Sequence, residues 1–162
     1  MSNTKEGRPL DVLHLVFWGN LAAYCINLLD ETMMAGGFVA GIQEHFWPEY
    51  TATKFFWFNT VFIVLIATSN ILYDVYGQRL VVAPMAWLWE RSLNGLWHLG
   101  WTVGYQEYSP GLLTSILFWI LLYMCYRHGV RSGEVGRRPF FIGAAIGLGI
   151  EGVIMAALFS VQ

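Results

Sequence analysis

Residues 25–38 read CINLLDETMMAGGF, and within one helical turn they hold Asn27, Asp30 and Glu31 in a run otherwise suited to lipid. Two neighbouring carboxylates in a low-dielectric site cannot both ionise easily, so the pair is expected to keep one proton and to offer both a donor and an acceptor. A second polar set lies at Glu90, Asn94 and His98, each four residues from the next, with Arg91 alongside, and a lone carboxylate, Glu151, sits in the last apolar run. The chemistry these types allow is general acid/base catalysis on a lipid-soluble molecule: isomerisation, cyclisation or hydrolysis. In that reading Asp30 and Glu31 move the proton, His98 is their partner, and Glu90 and Glu151 are further candidate catalytic carboxylates. Tyr24, Asn27, Asn59, Asn94 and Arg91 would bind the polar part of the substrate.

Two other readings use the same residues. Asp30, Glu31 and His98, with Glu151 or Glu90 as a fourth, have the ligand types of a catalytic zinc site with one open position. No HExxH or cysteine pair supports them, so no metal or other cofactor is assigned. Alternatively the polar groups only hydrogen-bond between helices, as in a membrane scaffold or accessory subunit. In that case Glu90 and Arg91, which point about 100° apart on a helix, are expected to pair with other helices, Arg91 with Glu151 or Asp30.

Helices must hold these groups. The 162 residues are 56% hydrophobic and only 12% charged, against about 25% charged in soluble domains. The expected class is an all-α polytopic membrane bundle, a single domain over residues 1–162. About 20 apolar residues cross a bilayer, and five segments suffice: about 11–34, 54–76, 81–105, 110–129 and 139–160. The first apolar run is too long, and too acidic, for a cleaved signal. Along the first span Asn20, Tyr24, Asn27 and Glu31 follow steps of four, three and four residues and so form one stripe. On the second, Asn59, Asn70 and Asp74 share a face. Rise per residue places Asp30, Glu31, Asn59 and His98 at one depth, with Asn27, Asn94, Glu90, Arg91 and Glu151 deeper, so a polar pocket opening to the outer side is expected.

Basic residues set the orientation. Lys5, Arg8, Arg79, Arg127, Arg131, Arg137 and Arg138 fall on one side of a five-span layout and Lys54 on the other. The N-terminus is therefore expected in the cytoplasm and the C-terminus outside, in a plasma (inner) membrane. Gly36 and Gly37 should end the first span, followed by an interfacial helix among Phe38, Phe46, Trp47 and Tyr50. Ser109-Pro110 reads as the start of the fourth span, with proline first in the helix. Gly143 and Gly147 suit close helix approach within the bundle. Cys25 and Cys125 are read as small buried hydrophobes, too far apart to bridge. Trp47, Trp57, Trp101 and Trp119 are read as interfacial anchors, His14 as a lone residue and His45 as interfacial. Membrane lipid and an apolar small molecule are the expected partners; a homo-oligomer is left open, and a formal net charge of −2 gives no reason to expect nucleic acid.

NLLDE with Gly36-Gly37-Phe38, together with NGLWHLGWTVGYQEYSPGLLTS at 94–115, resembles the HXXEE-motif family of small integral membrane proteins. The likeness runs from the first span through the fourth. The motif's position reads Asn27-x-x-Asp30-Glu31, so the acidic pair is retained in charge while asparagine replaces the imidazole. What the resemblance implies is an architecture and a site location rather than a reaction.

Overall fold

The computed structural model describes residues 12–160, and among them it is all-helical with no strand. In chain order the helices are α1 (Val12–Met33), α2 (Phe38–His45), α3 (Ala52–Tyr76), α4 (Val82–Tyr105), α5 (Leu112–Met124) and α6 (Arg137–Phe159). A 3₁₀ turn, Gly77–Leu80, prolongs α3, and a wide π turn, Cys125–Val130, prolongs α5. Four of these segments, Val12–Met33, Ala52–Leu80, Leu112–Val130 and Arg137–Phe159, are long and apolar enough to cross a membrane. The fifth long helix, α4, is the least apolar of the five. It is also the central one, packing on α1, α3, α5 and α6. Its polar residues are tolerated because its neighbours wrap them. The outer helices turn bare apolar side chains outward instead, among them Val75 on α3, Phe141 on α6 and Leu113 on α5, the surface a lipid solvent favours.

Successive long helices run in opposite directions. The far ends of α1 and α4 meet the beginning of α5, where Asp30 and His98 contact Tyr108–Thr114. At the opposite end Leu13, Val81, Met85, Cys125, Val130 and Phe140 share a core. Arg79, Arg127, Arg131, Arg137 and Arg138 belong to the connections and helix start at this second end; Lys54, at the start of α3, belongs to the first. Lys5 and Arg8 lie outside the described residues.

Local chemistry explains the helix ends. α1 stops where Ala35, Gly36 and Gly37 adopt φ of 50°, 82° and 90°, the left-handed region that glycine enters without penalty. Thr51 caps α3 by accepting from the Lys54 amide at 3.2 Å. The start of α5 differs from expectation. Pro110 precedes the helix, Gly111 at φ 103° is its cap, and Leu112 is its first residue. The reason is Gly111: its positive φ lies outside the helical region, so residues 109–112 form a separate tight turn, closed by Leu112 N–H to the Ser109 carbonyl at 3.1 Å, and the helix starts only after it.

The glycine pair of α6 is where the two most extensively packed helices touch. A methyl group on Gly143 would lie 2.6 Å from Met85 Cγ, and one on Gly147 would lie 2.7 Å from the Ala86 carbonyl and 2.9 Å from the Glu90 amide. The cysteines are both free, but only Cys125 is buried; Cys25 is exposed on the lipid-facing side of α1. His14 has a partner after all: its Nδ1 lies 2.7 Å from Asp74, which also accepts from Trp18 at 2.9 Å. Asp74 and Asn70, which donates to the Phe17 carbonyl at 3.0 Å, thus tie α3 to α1.

Candidate functional site

The stripe on α1 is buried along its length: Asn20, Tyr24, Asn27, Asp30 and Glu31 are all withdrawn from the surface. Because neighbouring residues diverge around a helix, Asp30 and Glu31 enter different surroundings. Asp30 faces the start of α5. It accepts from the Tyr108 hydroxyl at 3.0 and 3.1 Å, from Thr114 Oγ1 at 3.0 Å and from the Thr114 amide at 3.3 Å. Asn27 joins that network, donating to the Gly111 carbonyl at 3.0 Å and to Thr114 Oγ1 at 2.9 Å. Both of its hydrogens are thereby committed, so it orients the chain around the site.

Glu31 has no such cage. Its Oε1 lies 3.4 Å from Nε2 of His98, a fully buried ring whose Nδ1 is 2.9 Å from Ser109 Oγ. The Ser109 amide in turn donates to Thr102 Oγ1 at 3.0 Å. With the serine hydroxyl donating to Nδ1, the imidazole carries its proton on Nε2 and turns it toward Glu31, but at this separation Nε2 makes no hydrogen bond, so Ser109, His98 and Glu31 stand in a row without a closed hydrogen-bonded chain. Gly111 allows this close packing: a Cβ there would stand 2.7 Å from His98 Cε1 and 2.9 Å from Asn27 Nδ2.

A third group lies deeper on α4. Glu90 and Arg91 pair with each other, the guanidinium giving Nε to Oε2 at 2.5 Å and Nη2 to Oε1. The expectation that each would find a partner on another helix is corrected here. Two long neighbouring side chains can fold toward one another, and a bidentate contact offsets the two buried charges against each other without an ionic partner on another helix. The guanidinium also stacks on Tyr24, 4.4 Å from its centroid, while the Tyr24 hydroxyl donates to Asn59 Oδ1. Glu151 sits beside Glu90, Arg91 and Asn94. Neither of its carboxylate oxygens has a hydrogen bond of normal geometry, nor does Asn94 Oδ1.

These groups border a cavity of about 260 Å³. Glu31, Asn59, Arg91 and Asn94 form its polar end. Its walls are apolar: Phe55, Phe58 and Phe62 from α3, Val153, Ile154 and Leu158 from α6, and Phe38 and Ile42 from α2, with Trp47 and Tyr50 just beyond α2. Asp30, His98, Glu90 and Glu151 do not line it. Of the residues singled out from sequence, Glu31, Asn59, Arg91 and Asn94 therefore meet at one surface, with His98 directly behind Glu31 and Tyr24 behind Asn59.

Sequence reasoning missed the parts supplied by the 106–114 turn. From sequence Ser109 reads only as a helix start, and Tyr108 and Thr114 only as part of the 94–115 block, although their hydroxyls are the partners of His98 and Asp30. It also missed Tyr50, whose phenol is pushed well above its ordinary pKa by burial and then by nearby Glu31, so it remains a protonated donor. α2 is fastened over this end by Glu107, which accepts from Trp101 Nε1 at 2.6 Å and lies 2.7 Å from His45 Nε2. Those contacts, the indole first and the imidazole after it, hold the Glu107 carboxyl below its usual range. Trp101 is thus a buried strut, and Trp119 donates to the Ser92 carbonyl at 2.9 Å, so neither is a lipid anchor.

Among the described residues no three His, Cys, Asp or Glu side chains converge as a metal-binding group. Asp30 points away from the Glu31–His98 pair that a three-ligand site would need. Comparison with family models, curated proteins and solved structures returns no match for this chain.

Proposed function

We propose that this protein is a membrane-embedded acid/base enzyme acting on a lipid-soluble molecule, with Glu31 as the group that exchanges a proton with substrate. The observation that carries this reading is the position of Glu31 at the polar end of an otherwise apolar cavity, backed by buried His98 and Ser109. A carboxylate saturated by structural hydrogen bonds cannot readily take and give a proton; Asp30 is in that position and Glu31 is not. His98 is the proton partner behind Glu31, and Asn59 and Asn94 orient the polar part of the substrate. Glu90 neutralises Arg91, and Asp30 with Asn27 positions the helix that carries Glu31. The reading keeps the acidic pair of the variant HXXEE motif but divides its labour.

The same proposal includes the membrane layout. α4 is the fifth span, enclosed by the four more apolar ones, and the arginine-rich end faces the cytoplasm. The cavity then lies in the outer half of a plasma (inner) membrane, with α2 along its surface.

A test that does not require the substrate in advance uses purified protein in nanodiscs of total membrane lipid, incubated in D₂O. Isomerisation or cyclisation through proton transfer to carbon leaves deuterium on carbon in at least one lipid class, and hydrolysis, run in parallel in H₂¹⁸O, leaves ¹⁸O in a product; both are read by mass spectrometry. Glu31→Gln is expected to lower incorporation by about 10²-fold or more while purifying like the parent protein. Absence of incorporation in the parent, or undiminished incorporation in Glu31→Gln, rejects the reading.

A further inference from the structure

We infer that the cavity takes a long-chain amine, a cationic amphiphile, which enters sideways from the bilayer between α3 and α6. The inference deepens the proposed acid/base site and rests on its cavity being a binding site. It starts from charge. One carboxylate, Glu31, borders the polar end, and behind it Glu90 and Glu151 share a single guanidinium, that of Arg91, two of whose nitrogens Glu90 already occupies. An anionic headgroup would face Glu31 and find the nearby cation engaged. In this neighbourhood Asn94 Oδ1, both Glu151 oxygens and His98 Nε2 lack a hydrogen bond of normal geometry; of these residues only Asn94 borders the cavity, and its unsatisfied atom is an acceptor, as is the carboxylate of Glu31. What the site lacks is a donor with positive charge.

The walls agree with that assignment. Phe38, Phe55, Phe58, Phe62 and Tyr50 line the cavity, and aromatic faces attract ammonium groups most where water is excluded. An ammonium beside Glu31, which is only 5% exposed, would form an ion pair while its chain lay along the phenylalanines.

The route follows from packing. α3 and α6 form opposite walls yet are not among the helix pairs that pack closely. At their margins Phe58 is 49% and Val153 71% exposed, on faces that meet lipid. A chain can remain in the bilayer while its head reaches Glu31, so a cavity of about 260 Å³ need hold only the head and the first part of the tail.

The experiment compares dodecylamine, dodecanol and dodecanoate, each mixed with the protein in uncharged-lipid nanodiscs. Ligand retained after gel filtration is measured by mass spectrometry and corrected with empty nanodiscs. Dodecylamine should exceed the alcohol and the acid by at least about tenfold. Glu31→Gln should remove that excess and Glu31→Asp keep most of it, while Val153→Trp, which narrows the α3–α6 gap, should reduce it. Equal retention of the three compounds by the parent protein, or amine retention unchanged in Glu31→Gln, overturns the inference. Failure of isotope incorporation with amine selectivity intact removes only the acid/base reading; incorporation without amine selectivity removes only this one.

Discussion

Neighbours on a helix project about 100° apart, and at α1 that rotation sends Asp30 into the first turn of α5 and Glu31 toward the cavity. The two acids therefore answer differently to substitution. Asp30→Ala strands the Tyr108 hydroxyl and Thr114, and should cost about 2 kcal/mol of stability, the scale of hydrogen bonds to a charged group. Glu31→Gln should cost less than about 1 kcal/mol, since no close hydrogen bond to Glu31 is broken. Reversible unfolding in mixed micelles measures both, and equal losses would contradict the division. The stripe was legible in the sequence, because steps of four and three residues fix a helical face. Which acid looks where was not. It depends on the rotation of α1 against the 106–114 turn, whose hydroxyls give no periodic signal. The Glu90–Arg91 pair was hidden for a similar reason: backbone direction separates neighbours, but long side chains bend back.

At the scale of elements, the α4–α6 seam decides whether Arg91 and Glu151 can share one site. Gly147→Ala should cost about 1–3 kcal/mol by overpacking, because the new methyl meets backbone atoms of Ala86 and Glu90. Gly149→Ala and Gly152→Ala on the same helix meet open space and should be neutral or stabilising by up to about 1 kcal/mol. Thermal unfolding of the three variants separates packing from propensity. The fastening of α2 makes another prediction. Glu107 has a folded-state pKa below its unfolded value of about 4.3, so its contribution is full above that value and is lost as pH falls through the lower one. Amide protection factors across 42–47, which correct for the intrinsic pH dependence of exchange, should fall on acidification below about pH 4 and should lose that dependence in Glu107→Gln. Helix extents were readable from hydrophobic run length. The start of α5 was not, because Ser-Pro carries a familiar capping signal and the decisive feature is the positive φ of Gly111.

At the scale of the molecule, four helices suited to a membrane surround a fifth that is less so. The proposed layout puts Ser132 in the cytoplasm and Glu49 outside. In a variant with Cys25 and Cys125 replaced, a cysteine at Glu49 should react with an impermeant maleimide on intact cells, and one at Ser132 only after lysis; the reverse pattern would invert the cavity's leaflet. Composition made the all-helical membrane class plain, whereas the convergence of Glu31, Asn59, Arg91 and Asn94 on one cavity required three helices to be placed together. The Glu90–Arg91 pair bears finally on how the chain is made. At the centre of a helix leaving the translocon a charged residue costs about 2.5–3.5 kcal/mol, and α4 carries two. Since they neutralise each other within α4 itself, and Gly77–Leu80 joins α4 to α3 by a short turn, the two helices can enter as a hairpin. The pair then lowers the insertion cost of α4 before α6, whose Gly147 and Glu151 later pack beside it, has been synthesised.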